Sequence, residues 1–197
     1  MVLVFAIVIG VMAGFSKAKV EGVAFDPPKL RFVGLVLIAA IPQFLVYALP
    51  VTRSIIDTRW VPLFLISSQI VLLVFVWLNR KAPMFWLLGL GLLLNLTVIS
   101  LNGGWMPISP ETLMAEGITS KYWQIGSRYQ FSKDLVLEKE NTTLWLLSDI
   151  LTLPQWIPYR VAFSIGDTLI AAGVIGFFLH NKAGQEKWNV YKGDLLK

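Results

Sequence analysis

The sequence predicts an all-α membrane protein, with five transmembrane helices and an extracytoplasmic cap of short helices and loops. Three observations carry this prediction. Hydrophobic residues make up 56% of the chain and charged residues 15%, whereas a soluble domain is about 25% charged. A chain with so little polar surface must take the bilayer as part of its solvent. Apolar runs of spanning length recur along it, and its basic residues gather at alternate ends of those runs, the pattern of a threaded membrane protein. The 197 residues suffice for one membrane domain. There is no cysteine and a single histidine, His180, so disulfides, thiol catalysis, thiolate sites and multi-histidine metal centres are excluded. No cofactor and no metal are expected.

The spans follow in order. The first runs from Met1 to about Ser16. It has no basic n-region and no A-x-A cleavage signal, and reads as an uncleaved span. The second is Phe32 to Pro50, the third Val61 to Leu78, the fourth Met84 to Leu101 and the fifth Val161 to His180. Each is near the roughly 17–25 residues that a spanning helix needs. The chain therefore divides into spans one to four (1–101), an external loop with an interfacial helix (102–160), span five (161–180) and a cytoplasmic tail (181–197).

Lys17, Lys19, Lys29 and Arg31 follow span one, Arg80 and Lys81 sit between spans three and four, and Lys182, Lys187, Lys192 and Lys197 fill the tail. The alternate loops are poorer: Arg53 and Arg59 share theirs with Asp57, and the long loop is net acidic. The positive-inside rule then places the N-terminus outside and the C-terminus in the cytoplasm. Trp60, Trp105, Trp156 and Tyr159 fit an outer aromatic belt, and Trp77 and Trp86 an inner one. The net charge of +5 thus belongs to topology, and no nucleic-acid partner is expected.

In the external loop, Ser109-Pro110-Glu111 signals a helix start with Ser as N-cap, and Gly117 a stop. Asn141-Thr142-Thr143 suits the cap of a second helix from Leu144 to Leu153. The segment from Leu144 to Pro158, rich in leucine and carrying Trp145 and Trp156, is expected along the outer interface. Asn102-Gly103-Gly104 ends span four in a turn, and Met106-Pro107 could form a lid.

Within the spans, Gln43, Gln69, Asn95 and Asp167 all fall some 9–12 Å below the outer boundary, at about 1.5 Å per residue. Two readings follow: hydrogen bonding between helices, or an outward-opening pocket floored by these groups and lined also by Asn102, Ser164 and Thr168. Asp167 stands out, because an ionisable group inside an apolar span suggests function. Gly10 with Gly14, and Ala172 with Gly176, have the four-residue spacing of closely packed helices. His180, at the inner end of span five, could ligate a pigment metal.

Leu147-Ser148-Asp149-Ile150, followed by Val161-Ala162-Phe163-Ser164-Ile165-Gly166-Asp167, resembles the C-terminal third of lipoprotein signal peptidase (signal peptidase II). The resemblance implies a catalytic dyad of Asp149 and Asp167. Ser164 stands where that motif has Asn, and Gly166 where it has Ala. A broader resemblance is carried by Asn102-Gly103-Gly104-Trp105-Met106-Pro107, Leu147-Ser148-Asp149-Ile150 and Ser164-Ile165-Gly166-Asp167-Thr168-Leu169-Ile170. These are similar to the signatures of a bacterial polytopic membrane-protein family known only as a domain of unknown function. It implies a location in the bacterial cytoplasmic (inner) membrane. Two functions remain open. One is an accessory or scaffold subunit of a larger membrane complex, with lipids and other membrane subunits as partners. The other is a membrane-embedded aspartyl hydrolase acting at the outer leaflet through Asp149 and Asp167. If that pair is structural, Asp149 is expected to cap a local backbone or to pair with Arg160 or Arg128.

Overall fold

Runs of Leu, Val, Ile and Phe dominate five stretches of the chain, and each folds as a helix that satisfies its own backbone hydrogen bonds. The computed structural model describes residues 2–49, 51, 55–154, 156–157 and 159–181, with backbone alone at 2 and 48. The helices are α1 (Val2–Glu21), α2 (Gly34–Gln43), α3 (Val61–Leu78), α4 (Phe85–Leu101) and, after a cap containing the short α5 (Pro110–Ala115), α6 (Ile165–Leu179). Pro50, Arg53, Pro158 and the tail lysines Lys182, Lys187, Lys192 and Lys197 lie outside the described residues, as does all but Asn181 of the segment read as a cytoplasmic tail.

Packing neighbours run α1–α6–α4–α3–α2. The C-terminal ends of α1, α3 and α6 and the N-terminal ends of α2 and α4 share one end of the bundle; the cap occupies the other. Phe85 sits at the centre of the apolar core, its ring 5.8 Å from that of Phe75 and 5.4 Å from that of Phe177, with Leu88, Leu92, Ile170 and Val174 around them. Glycines let the helices close. A Cβ on Gly91 would lie 2.4 Å from the Gly166 carbonyl oxygen, and one on Gly14 would lie 2.4 Å from the Phe178 carbonyl oxygen. The small residues Gly10 and Gly14 thus meet α6, whereas Gly176 faces Met84 at the start of α4.

Two helical stretches, Leu3–Glu21 and Thr58–Leu78, are long and apolar enough to cross a membrane; Gly34–Tyr47, Phe85–Leu101 and Ile165–Leu179 are shorter apolar helices. Of the five full-length spans expected from the sequence, two are therefore matched in length and three are carried by shorter apolar helices, for identifiable local reasons. Pro42 interrupts the donor ladder of α2, which continues only as a π-helical turn over Phe44–Ala48. Ala162–Phe163, expected to open span five, instead pairs as strand β4 with β3 (Leu151–Thr152), and α6 starts after Ser164. Large apolar side chains remain uncovered along α1 to α4, among them Phe5 and Met12, Leu37 and Ile41, Leu63 and Val74, and Leu90 and Leu93.

The cap is built around an extended segment of three residues. Strand β1 (Met106–Ile108) pairs in parallel with β2 (Asp134–Val136), and on its other side Ile108 bridges Asp149, whose N–H donates to the Pro107 carbonyl at 3.0 Å. Met106 and Pro107 are thus buried between two chain segments and form no lid. Helix α5 has the expected start and stop: Ser109 Oγ accepts from the Thr112 N–H at 3.2 Å, and Gly117 turns the chain at φ +79°. The helix expected over Leu144–Leu153 does not form. Leu144 is left-handed (φ 57°), Trp145–Leu147 makes a single 3₁₀ turn, and Ser148 is extended. Pairing of Asp149 with the β1 segment takes the backbone groups that a helix would have used. Asn141 does not cap a second helix but closes the preceding 3₁₀ turn, its amide donating to Glu138 Oε2 at 3.2 Å.

Candidate functional site

Helix α6 needs its first donors satisfied, and Ser164 and Asp167 do this reciprocally. Ser164 Oγ accepts from the Asp167 N–H at 2.9 Å, and Asp167 Oδ2 accepts from the Ser164 N–H at 3.4 Å, a capping box with Asp in the third position. Both side chains are tied to α4. Asn95 Nδ2 donates to Asp167 Oδ1 at 2.9 Å, while Ser164 Oγ donates to Asn95 Oδ1 at 2.8 Å. Gly166 makes this closure possible, because a Cβ there would lie 2.1 Å from Asn95 Oδ1. Thr168 takes no part; its hydroxyl donates to the Ser164 carbonyl at 3.1 Å.

The remaining polar positions of the spans form no continuous layer. Gln43 donates from Nε2 to Ser68 Oγ, joining α2 to α3. Gln69 is buried, and its Oε1 has no hydrogen-bond partner. Asn102 works at the end of α4: its Nδ2 donates to the Val98 carbonyl at 2.7 Å and the Thr143 carbonyl at 2.9 Å, and its Oδ1 accepts from the Thr143 N–H at 3.0 Å. It stitches the cap to the bundle. At the far end, the His180 Nδ1 lies 3.0 Å from the Gly176 carbonyl.

Asp149 is almost wholly buried, with 2% of its side chain exposed. It pairs with neither Arg128 nor Arg160. Its partner is Lys133, whose ammonium donates to Asp149 Oδ2 and, at 3.0 Å, to Asp134 Oδ1. The topology explains the meeting: Lys133 and Asp134 lead into β2 on one side of β1, and Asp149 stands on the other. Arg128 instead donates to the Ser132 and Phe131 carbonyls, with its guanidinium 5.6 Å from each of the Tyr47 and Trp105 rings. Asp149 Oδ1 has no partner, nor has Tyr47 Oη or Glu116 Oε1.

One ammonium among three carboxylates leaves the cluster with excess negative charge. Burial pushes the Asp149 carboxyl well above the usual carboxylate range; Lys133 opposes this, while Asp134 and Asp167 reinforce it. Burial alone would lower Lys133, but the fields of Asp134, Asp149 and Asp167, with the hydrogen bond to Asp149, outweigh it and hold the ammonium well above the ordinary lysine value. Glu116 is raised by burial and then by Asp134, with Arg160 opposing. Asp167 thus reaches Asp149 only through its charge, and among the described residues no hydrogen bond joins them. Lys133, Asp134, Tyr47 and Glu116 were not singled out from the sequence; a Lys-Asp pair in a polar loop has no local mark that separates it from a solvated one.

Known proteins add a family. A family of unknown function, DUF5317, matches residues 28–179. An uncharacterized protein of Thermotoga maritima is 31% identical over 153 residues, which is 77% of each chain. No solved structure matches. The match extends from just ahead of α2 to the end of α6, and the chain belongs to this family of unknown function.

Proposed function

We propose that the chain is a five-span protein of the bacterial cytoplasmic membrane, N-terminus outside, that serves as an accessory or scaffold subunit of a larger membrane assembly. The carrying observation is how the two candidate aspartates are used. Asp167 is committed to the α6 cap and to Asn95, and Asp149 to Lys133. A hydrolytic dyad instead needs two carboxyls sharing a proton or a water. The uncovered apolar side chains along α1 to α4 support lipid or neighbouring helices as their surroundings. Strand pairing, buried clusters and the Asn102 stitch give the cap a fixed shape suited to presenting a surface.

Two measurements test this reading. Reporter fusions after Lys81 and after Lys197 should both report a cytoplasmic location; a periplasmic signal from either overturns the topology. Cross-linking in native membranes should yield a defined species heavier than the monomer, and migration as a free monomer overturns the subunit role.

One observation favours a second reading, an aspartyl hydrolase similar to signal peptidase II. Asp149 Oδ1 is buried without a partner, and its carboxyl is raised, as a proton-carrying acid requires. In a strain lacking its own lipoprotein signal peptidase, the wild-type chain should then restore cleavage, and Asp149→Asn or Asp167→Asn should abolish it. Failure of the wild-type chain removes the peptidase reading.

A further inference from the structure

At the end of the bundle opposite the cap, four cationic side chains converge on one cleft. It has a volume of about 530 Å³ and is lined by Lys29, Arg31, Asn79, Arg80, Lys81 and His180 among others, with no carboxylate in the lining. We propose that this cleft binds a phosphate group, carried by an anionic phospholipid or by a soluble phosphate compound. Topology explains why basic residues flank spans; it does not explain why those of two separate connections meet around a cavity.

The frame is rigid where a binding site needs rigidity. Asn79, buried at the end of α3, accepts from the Arg31 N–H at 2.8 Å and donates to the Arg31 and Phe75 carbonyls at 2.9 Å. Asn181 does the same for the preceding stretch, accepting from the Asp26 N–H and donating to the Ala24 carbonyl, each at 2.8 Å. Two buried amides thus clamp the segment carrying Lys29 and Arg31 against the ends of α3 and α6. On either side of the cleft a non-glycine residue is held left-handed, Phe32 at φ 55° and Met84 at φ 61°, a strain that persists only where the surroundings impose it.

The two arginines are stacked on rings, and among the described residues none of the four cations has a carboxylate partner. The Arg80 guanidinium lies 4.7 Å from the Trp77 ring and donates one bond to the Trp77 carbonyl; that of Arg31 lies 5.4 Å from the Phe32 ring. Stacking of this kind leaves guanidinium N–H groups free for the bidentate geometry that phosphate prefers. Among the described residues, no ion pair involves Lys29, Arg31, Arg80 or Lys81, and Glu21 is paired with Lys17 outside the lining. Mutual repulsion of four cations is relieved by an anion. Basic pockets between helices at a membrane face take phosphate-bearing head groups for this reason.

The test uses the full chain in neutral detergent, with tryptophan quenching by phosphatidylglycerol or phosphatidylcholine carrying brominated acyl chains. Phosphatidylglycerol should be preferred about tenfold, and Lys29→Gln/Lys81→Gln should bring the two lipids within about twofold of each other. Arg80→Gln alone should weaken the preference part of the way, and the cap substitution Lys121→Gln should not change it. Inorganic phosphate separates the sources: displacement of the lipid at millimolar concentration assigns recognition to the phosphate itself, and no displacement assigns it to the anchored head group. A thermal shift with phosphate over chloride at equal ionic strength, lost in the double variant, supports the soluble source. The proposal is overturned if wild-type protein shows neither lipid preference nor phosphate response, or if both survive the substitutions.

Discussion

Removing Lys133 should expose what holds the cap together. Lys133→Met keeps the length of the side chain but leaves Asp149, with 2% of its side chain exposed, beside Asp134 and within the field of Asp167. Breaking a buried pair by deleting one partner costs about 3–5 kcal/mol. Two features reduce this. A third of the Lys133 side chain is exposed, and Asp149 can escape its charge by taking up a proton. A cost of about 2–3 kcal/mol at neutral pH follows, equivalent to a fall of roughly 4–12 °C in apparent unfolding temperature for a chain of this size. Tryptophan fluorescence during heating in detergent reads this directly, since the chain has eight tryptophans. The loss should shrink as pH is lowered, because a protonated Asp149 no longer needs its counter-ion. Lys133→Met/Asp149→Leu should regain at least half of the loss and should lose its pH dependence, since an apolar pair replaces the stranded charge. Equal stability of wild type and Lys133→Met between about pH 5 and pH 9 would refute the reasoning, as would a double variant no better than the single one.

The other expectations concern the same joint and its surroundings. In the wild-type chain the raised Asp149 carboxyl means that the folded state binds that proton more tightly than the unfolded state, so its contribution to stability falls as pH rises from about 4 toward the folded value. The Lys133 contribution is complete below about pH 10.4 and is lost as pH climbs through its raised folded value; in a pH series of melting curves both contributions should fall with rising pH, first that of Asp149 and then that of Lys133. Gly166→Ala should destabilise by about 1–3 kcal/mol or more by forcing α6 from α4, because its Cβ would meet Asn95 and the Gly91 carbonyl. Gly34→Ala, with nothing within 4 Å of the new atom, should stay within about 0.5 kcal/mol of wild type. Ser164→Ala removes both the α6 cap and the bond to Asn95; thermal unfolding should report a cost of about 1–2 kcal/mol.

The helical stretches were legible because each is set by local composition. The third apolar run, Val61 to Leu78, coincides with α3, since Pro62 suits the first turn and Asn79 follows the last. The boundary of α6 was misplaced by a few residues because Ala162–Phe163 reads as apolar helix but is recruited by Leu151–Thr152. The short α5 was legible from Ser109, Pro110 and Gly117 alone. The rest of the cap was not. Its organising pairs join Met106 to Asp134 and Ile108 to Asp149, across tens of residues and over strands too short to show a period. The leucine-rich stretch after Asn141 has helix composition, and long-range pairing of Asp149 overrode it. Asn95 and Asp167 could be placed at one depth by counting along two spans, and they do bond. Lys133 could not be found in this way, because its role depends on which strand separates it from Asp149.

The family-like signature segments now have one physical meaning. Asn102 anchors the end of α4 to the cap, and Gly104 lets the chain pass Pro62, where a Cβ would lie 2.4 Å from the ring. Met106 and Pro107 then form the central strand, and Asp149 of the second segment pairs with its backbone. Ser164, Gly166 and Asp167 of the third close α6 onto Asn95. Three segments distant in sequence therefore build one joint between cap and bundle. Lys133, which none of them contains, supplies the positive charge at its centre. The resemblance to an aspartyl dyad arises at this joint for a structural reason: Asp149 answers the Lys133 ammonium beside β1, and Asp167 closes the capping box that Ser164 opens at α6.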